Sequence, residues 1–288
     1  MALVPLLEVR SWCRPCRAVC VPFSDCVGPL VRDVGAEDLR EVLAKLAVER
    51  SWRFLELREA GGRAGAAGGA PTYFGHRLCL RGGSDALFAG LTGAARRGVR
   101  RARGEGLEVR ISRSWRSMRQ FVGLHGRTRR RHGAPPQPMA FFRRVHQFMI
   151  GPDTGFVVVV SVGGRPVAAA VFLRFGSAGV FKYGASDPAA WPLRPNHLLM
   201  WEAIRTLAGA GCGFLHFGRS DPGHDGLRRF KRGWGASEEP LVYERFDPVG
   251  NSWASVPAVR RRWAPAVFRR LPLVLNRGAG RLAYRHLD

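Results

Sequence analysis

The chain has 288 residues, 46% of them hydrophobic, and a formal net charge of +24 from 46 Lys and Arg against 22 Asp and Glu. That content supplies a packed core, and no run of about 18 uninterrupted apolar residues occurs, which excludes a membrane-spanning helix. The charge points to polyanionic partners such as RNA, phosphorylated glycan-lipids or an anionic membrane face. Lysine occurs only at Lys45, Lys182 and Lys231, so the alternative is an arginine bias of the kind a GC-rich genome writes into ordinary surface positions.

The opening MALVPLLEVRSW lacks a basic leader, a long apolar centre and a small-residue cleavage site, so we expect no secretory signal and a cytoplasmic location. The first elements read as strand (LVPLLEVR), strand (AVCVPFSD), loop, helix (AEDLREVLAKLAVE) and strand (RFLELR). Cys13, Cys16, Cys20 and Cys26 are spaced C-x2-C-x3-C-x5-C, which matches neither paired zinc knuckles nor the usual iron–sulfur run, so reduced or buried thiols and no metal are expected. A Gly/Ala-rich turn, GGRAGAAGGAP, leads into the strand TYFGHRLCL.

SDALFAGLTGAARRGVRRARGEG predicts one helix with Ser84 as N-cap, ending at Gly104 or Gly106. Its last two turns carry Arg96, Arg97, Arg100, Arg101 and Arg103, either a solvated face suited to the helix macrodipole or a phosphate-attracting patch. The strand LEVRIS follows, then an amphipathic helix over SWRSMRQFVGLHGRTRRRHG with Trp115, Met118, Phe121, Val122 and Leu124 inward, and a further segment after a proline break. TGFVVVVSV, the turn GGRP and VAAAVFLRF form a hairpin.

The run from Gly179 to Gly235 reads strand, polar loop, helix, strand, polar loop, helix. The ends of neighbouring strands in such a sheet form a crevice where ligands settle, and Ser186, Asp187, Arg194, Asn196, Arg219, Ser220 and Lys231 fall in or just after its loops. Residues 3–58 and 165–219 share the order strand, strand, loop, helix, strand. Ser24-Asp25 then lines up with Ser186-Asp187 and Arg58 with Arg219, at separations of 33 and 32 residues, which suggests a duplication.

ELR (56–58), LHGRTRRRHG (124–133), YGASD (183–187), RPNHLLMWEAI (194–204), FGRS (217–220) and FKRGWGA (230–236), together with VPFSDCVGPL near the start, resemble the FemAB-type proteins of the GNAT acyltransferase superfamily. The resemblance covers about residues 3–246. It implies an α/β (α+β) chain of tandem GNAT-like modules with mixed central sheets flanked by helices: a degenerate, partial first module over 1–106, a second over 107–246 that carries the active site, and a basic tail over 247–288. It implies transfer of an acyl or aminoacyl group onto an amine of a cell-envelope or exopolysaccharide precursor. The co-substrate would be aminoacyl-tRNA or acyl-CoA, with no tightly bound cofactor, and the acceptor glycan- or lipid-linked.

Three departures stand beside it. The resemblance begins at a strand the family places well inside its first module, so its first strand and helices are not expected here, nor is the long helical arm of some tRNA-using members. The glycine-rich phosphate loop of acetyl-CoA-dependent relatives has no match where Arg194-Pro195-Asn196-His197 stand, because proline removes one of the N–H donors a pyrophosphate cradle needs. The lone GEG at 104–106 falls at a helix end.

By motif position Lys231, with Phe230, inherits the role of binding the donor and stabilising the tetrahedral oxyanion. Asp187 is the candidate proton acceptor, His197 and His216 being weaker ones. Arg219 and Arg194 suit phosphate groups, Tyr183 the acceptor channel, and Ser186 and Asn196 substrate contacts, with a helix cap the other role for Asn196. The tail, with basic pairs between Trp263, Val267, Phe268, Leu271 and Leu273, either packs on its parent domain or lies peripherally on an anionic inner-membrane face. Two other functions compete: an acyl-CoA-dependent N-acetyltransferase, and a non-catalytic arginine-rich RNA- or membrane-binding protein on a decayed acyltransferase scaffold.

Overall fold

The computed structural model describes residues 1–11, 14–60, 72–256 and 264–284. In chain order the strands and helices are β1 (Ala2–Leu3), β2 (Leu6–Ser11), β3 (Arg14–Cys20), β4 (Leu30–Val31), α1 (Ala36–Glu49), β5 (Leu55–Ala60), β6 (Tyr73–Cys79), α2 (Gly83–Ala89) and α3 (Gly93–Gly104). Then come β7 (Glu108–Ser112), α4 (Trp115–Arg131), α5 (Met139–Val145), β8 (Gly155–Val162), β9 (Arg165–Phe175), β10 (Ala178–Ser186) and α6 (Pro195–Gly209). Last are β11 (Phe214–His216), α7 (Asp225–Arg232), β12 (Ser237–Asp247), β13 (Ser252–Ser255), α8 (Ala264–Arg270) and α9 (Leu273–Ala283).

Eleven strands form one mixed sheet, ten in the order β2-β3-β5-β12-β6-β11-β10-β9-β8-β7 and β13 paired to β12. The expected α/β architecture is present, but as a single continuous sheet. Two parallel pairs lie within it, β3 with β5 around α1 and β10 with β11 around α6, which is the repeated order seen in the sequence. Each pair is extended by a strand from the other half: β6 adds to β11, and β12 adds to β5 before also pairing β6.

The near-continuous apolar runs of β8 and β9 are those of strands covered on both faces. Alternation splits them: Val158, Val160, Ala168, Ala170 and Phe172 pack toward α6, and Val157, Val159, Ala169 and Val171 toward α4. A third core joins Leu43, Ala47, Trp52, Leu55, Leu57 and Phe246 around α1.

Several elements differ from the sequence expectation. The single helix predicted from Ser84 is two, because the chain turns at Gly90–Thr92; Gly82, in the left-handed region, precedes α2, and Thr92 caps α3 by accepting from the Ala95 N–H at 3.4 Å. Packing does not break at residue 106, since Leu78, Leu80, Leu87, Leu91, Ala95 and Val99 share one core with β8, β9 and α6. The GGRP hairpin forms with Gly163 and Gly164 both at positive φ, as a tight two-residue turn requires. The tail folds into α8 and α9, while the GGRAGAAGGAP turn, Cys13 and Trp263 lie outside the described residues.

Candidate active site

β10 and β11 pair in parallel only from Ala178–Phe214 to Val180–His216 and then part; β10 carries a register shift at Phe181–Tyr183 where they separate. A loop from the other half enters beside this opening. Lys182 donates to the Phe23 carbonyl at 2.6 Å, the Arg219 N–H points at the Asp25 carboxylate at 3.4 Å, and the Arg219 guanidinium stands 3.6 Å from the same carboxylate. Gly218 has φ +72°, and a Cβ there would lie 2.9 Å from an Asp25 oxygen, so both backbone and space require glycine.

Lys231 sits under this junction. α7 carries it inward, its side chain is 3% exposed, and its ammonium donates to the carbonyls of Gly218 at 2.8 Å and Arg219 at 3.0 Å. Burial pulls its pKa down to about 8, against the opposing charges of Asp25, Asp221 and Glu238. An amine so placed is a desolvated cation in neutral solution that gives up its proton in mildly alkaline solution.

Around it the polar groups are fixed. Burial opposes the charge on Arg219, yet Tyr243, Asp25 and Tyr73 together hold its pKa above the ordinary arginine value. Its guanidinium donates to the Tyr243 hydroxyl at 2.7 Å and lies 4.4 Å from the centre of the Tyr73 ring. Tyr243 in turn donates to the Asp25 carbonyl. His216 accepts from the Gly218 N–H through Nδ1 at 3.1 Å, and its pKa is lowered chiefly by burial. His76, wholly buried, meets Glu238 at 2.8 Å; burial first and the Lys231 charge second depress its pKa to about 4, so it is neutral at pH 7. Glu238 also binds Arg228 through both oxygens, at 2.6 and 3.0 Å, and its pKa falls to about 2, first through that contact.

The structure divides the sequence-nominated residues among several places. Lys231 and Arg219 come together, as just described. Ser186, Asp187, Arg194 and Asn196 gather instead where β10 runs into α6. There Asn196 donates to the Ser186 hydroxyl at 3.2 Å, as does Trp191 at 2.9 Å. Asn196 is not the helix cap: that position belongs to Arg194, in the left-handed region at φ 59° and without a side-chain capping bond. The Asp187 carboxylate accepts from the Ala189 N–H, the largest cause of its lowered pKa, and pairs with Arg165 at 2.6 Å. Asp25, Asp221 and Glu238, and not Asp187, are therefore the carboxylates whose charge acts on Lys231.

His197 and Phe230 are packing residues here. Their ring centroids are 5.8 Å apart, both lie against Trp234, and His197 presses on Gly98 of α3. Tyr183 belongs to the aromatic cluster of Phe121, His125, Phe141 and Phe142, and burial pushes its pKa up. Sequence reading did not nominate Asp25, Tyr73, Tyr243 or Lys182. The internal echo that aligned Asp25 with Asp187 was the available signal, but it gave no reason to bring the first copy's loop onto the second copy's strand.

Among the described residues no three His, Cys, Asp or Glu side chains cluster as a metal site would require. No described helix is long and apolar enough to cross a membrane.

The mixed sheet, with helices on both faces and a strand pair that parts, is the frame on which the comparisons bear. Residues 89–232 match the model of the acetyltransferase (GNAT) domain, half of the chain, and the chain belongs to that family. It is an acyltransferase. The fold resembles that of FemX, with a TM-score of 0.62 at 15% identity over 82% of this chain and 81% of that one. It also resembles the C-terminal domain of an Agrobacterium fabrum protein assigned as a lysylphosphatidylglycerol synthetase, with a TM-score of 0.57 at 13% identity over 83% and 79%. L-PGS from Bacillus licheniformis gives 0.55 at 13% identity over 96% and 85%. Among curated protein sequences none matches the chain.

Proposed function

We propose that the protein moves an acyl or aminoacyl group onto an amine of a cell-envelope or exopolysaccharide precursor, and that Lys231 stabilises the negative oxygen that forms on the way. The observation that carries this is the burial of the Lys231 ammonium beneath the parting strands, with two of its three N–H donors held by the Gly218 and Arg219 carbonyls. Such a cation is oriented before reaction and shielded from water, the condition under which electrostatic stabilisation of an oxyanion is largest.

In the proposed reaction the neutral acceptor amine attacks the donor carbonyl, and the new N–C bond forms as the carbonyl π pair moves onto oxygen beside Lys231. The tetrahedral species collapses, the bond to the leaving oxygen or sulfur breaks, and the proton released by the amine reaches the leaving group. Asp25, which meets Arg219 at the same junction, takes the acceptor role first sought in Asp187. Arg219, side chain 38% exposed, offers a guanidinium edge to a phosphate of donor or acceptor.

The start of α6 supports an aminoacyl donor over acyl-CoA. Pro195 removes one backbone N–H, and the N–H groups of His197 and Leu198 turn back to the Arg194 carbonyl. A pyrophosphate cradle needs such backbone donors free. The likeness to FemX and to lysylphosphatidylglycerol synthetase points the same way, toward amine or lipid acceptors of the envelope. The tail supports a peripheral position at the inner membrane face: Val267, Val274, Leu275 and Leu282 are exposed beside Arg269, Arg270, Arg277 and Arg281.

The test offers the protein radiolabelled alanyl-tRNA or acetyl-CoA with a panel of amine-bearing muropeptide and glycan precursors. Transfer from alanyl-tRNA is expected. Transfer from acetyl-CoA alone, with saturable thermal stabilisation by CoA, would replace this reading with a CoA-dependent N-acetyltransferase.

A further inference from the structure

On the far side of α6 from the aromatic cluster of α4, α2, α3 and α6 enclose a cleft of about 640 Å³, within the range of small-ligand sites. None of its lining residues takes part in the transfer centre. Arg96, Arg100, Arg103 and Arg205 line it. Asp85 is the carboxylate among the lining residues, and Glu202 pairs with Arg205 at 3.0 Å and Arg103 at 3.6 Å, so the guanidiniums outnumber the carboxylates two to one.

The cationic groups are partly preset. Arg96 donates to the Ala89 carbonyl at 2.8 Å, and Arg100 lies 5.8 Å from the centre of the Phe88 ring, which meets Trp201 edge-on at 5.0 Å. Trp201, 3% exposed, forms the apolar floor of the cleft beside Phe88.

We propose that this cleft binds a phosphomonoester or diphosphate group, gripped by Arg100, Arg103 and Arg205. Guanidinium forks match phosphate oxygens in pairs, which a carboxylate-rich or apolar ligand would not exploit. An extended RNA strand is the poorer occupant, since the indole is too deeply buried to stack on a base. The anion is bound by side chains alone, because the arginine end of α3 is its C-terminus, where the helix dipole repels negative charge.

The experiment titrates the full chain with inorganic pyrophosphate by calorimetry and, separately, with vesicles of phosphatidylcholine containing phosphatidic acid. Saturable one-to-one binding of pyrophosphate is expected, weakened about tenfold or more in Arg100→Ala/Arg103→Ala. Binding to the acidic vesicles alone, lost in the same double variant, supports the site with a lipid headgroup as its source. Arg116→Ala/Arg119→Ala, on exposed positions of α4, removes the same charge elsewhere. Equal weakening by that control, or no saturable binding of either probe, overturns the proposal, as does binding of an RNA oligomer without pyrophosphate binding.

Discussion

A lysine that loses its water on folding leaves a thermodynamic trace. The Lys231 pKa falls from 10.5 to about 8, so between those values the unfolded chain binds a proton that the folded chain has released, and folding stability rises with pH across the window. Below about pH 8 the charged, buried form costs the folded state on the order of 3 kcal/mol. Chemical denaturation of Lys231→Met should lack the rise seen in the native chain between about pH 8 and 10.5; the same rise in both would assign it elsewhere. Sequence reading reached Lys231 because one lysine stood in a motif within an arginine-rich chain. It could not reach Asp25 or Tyr243, whose part depends on a loop and a strand distant in sequence meeting at Gly218 and Arg219. Asp187 drew attention by its place after a strand, but a carboxylate at such a turn can equally hold the backbone, as it does at Ala189.

At the scale of elements, the parallel pairs around α1 and α6 were readable because apolar period and length separate strand from helix in those stretches. The break between α2 and α3 was not, because Gly90, Leu91 and Thr92 continue a helical pattern and only the Thr92 contact with the Gly233 carbonyl shows why the chain turns there. α3 lies so close to α6 that a Cβ on Gly98 would fall 2.3 Å from the His197 ring, itself held by Phe230 and Trp234. Gly98→Ala should therefore destabilise by up to about 2 kcal/mol, an overpacking cost of about 1–3 kcal/mol less a helix-propensity gain of about 1 kcal/mol. Equilibrium urea denaturation checks this, and a stabilised variant would show that α3 and α6 are less tightly apposed.

For the molecule as a whole, exchange of β6 and β12 between the two halves makes each sheet half incomplete alone. Duplication is visible in a sequence as repeated order, but which strand closes which half is a matter of long-range pairing that local pattern does not encode. We expect one cooperative unfolding transition, with fluorescence and circular dichroism coincident, and no folded product from residues 1–106 or 107–288 expressed separately. Two resolved transitions, or an independently folded 107–288 fragment, would show that the exchanged strands are dispensable. The excess of arginine is spread over the surface and concentrated at the α3 cleft and the C-terminal helices, so net charge alone named a partner class without locating it.

The most direct test is the pH dependence of kcat for transfer, from whichever donor proves active, in the native chain, Lys231→Met and Lys231→Arg. Native activity should fall as pH rises through about 8, where Lys231 loses its proton; Lys231→Met should lose about 100-fold or more at pH 7 while remaining folded, and Lys231→Arg should shift the fall to higher pH. A Lys231→Met enzyme within about twofold of the native kcat, with the same alkaline limb, would contradict a catalytic role for the buried ammonium.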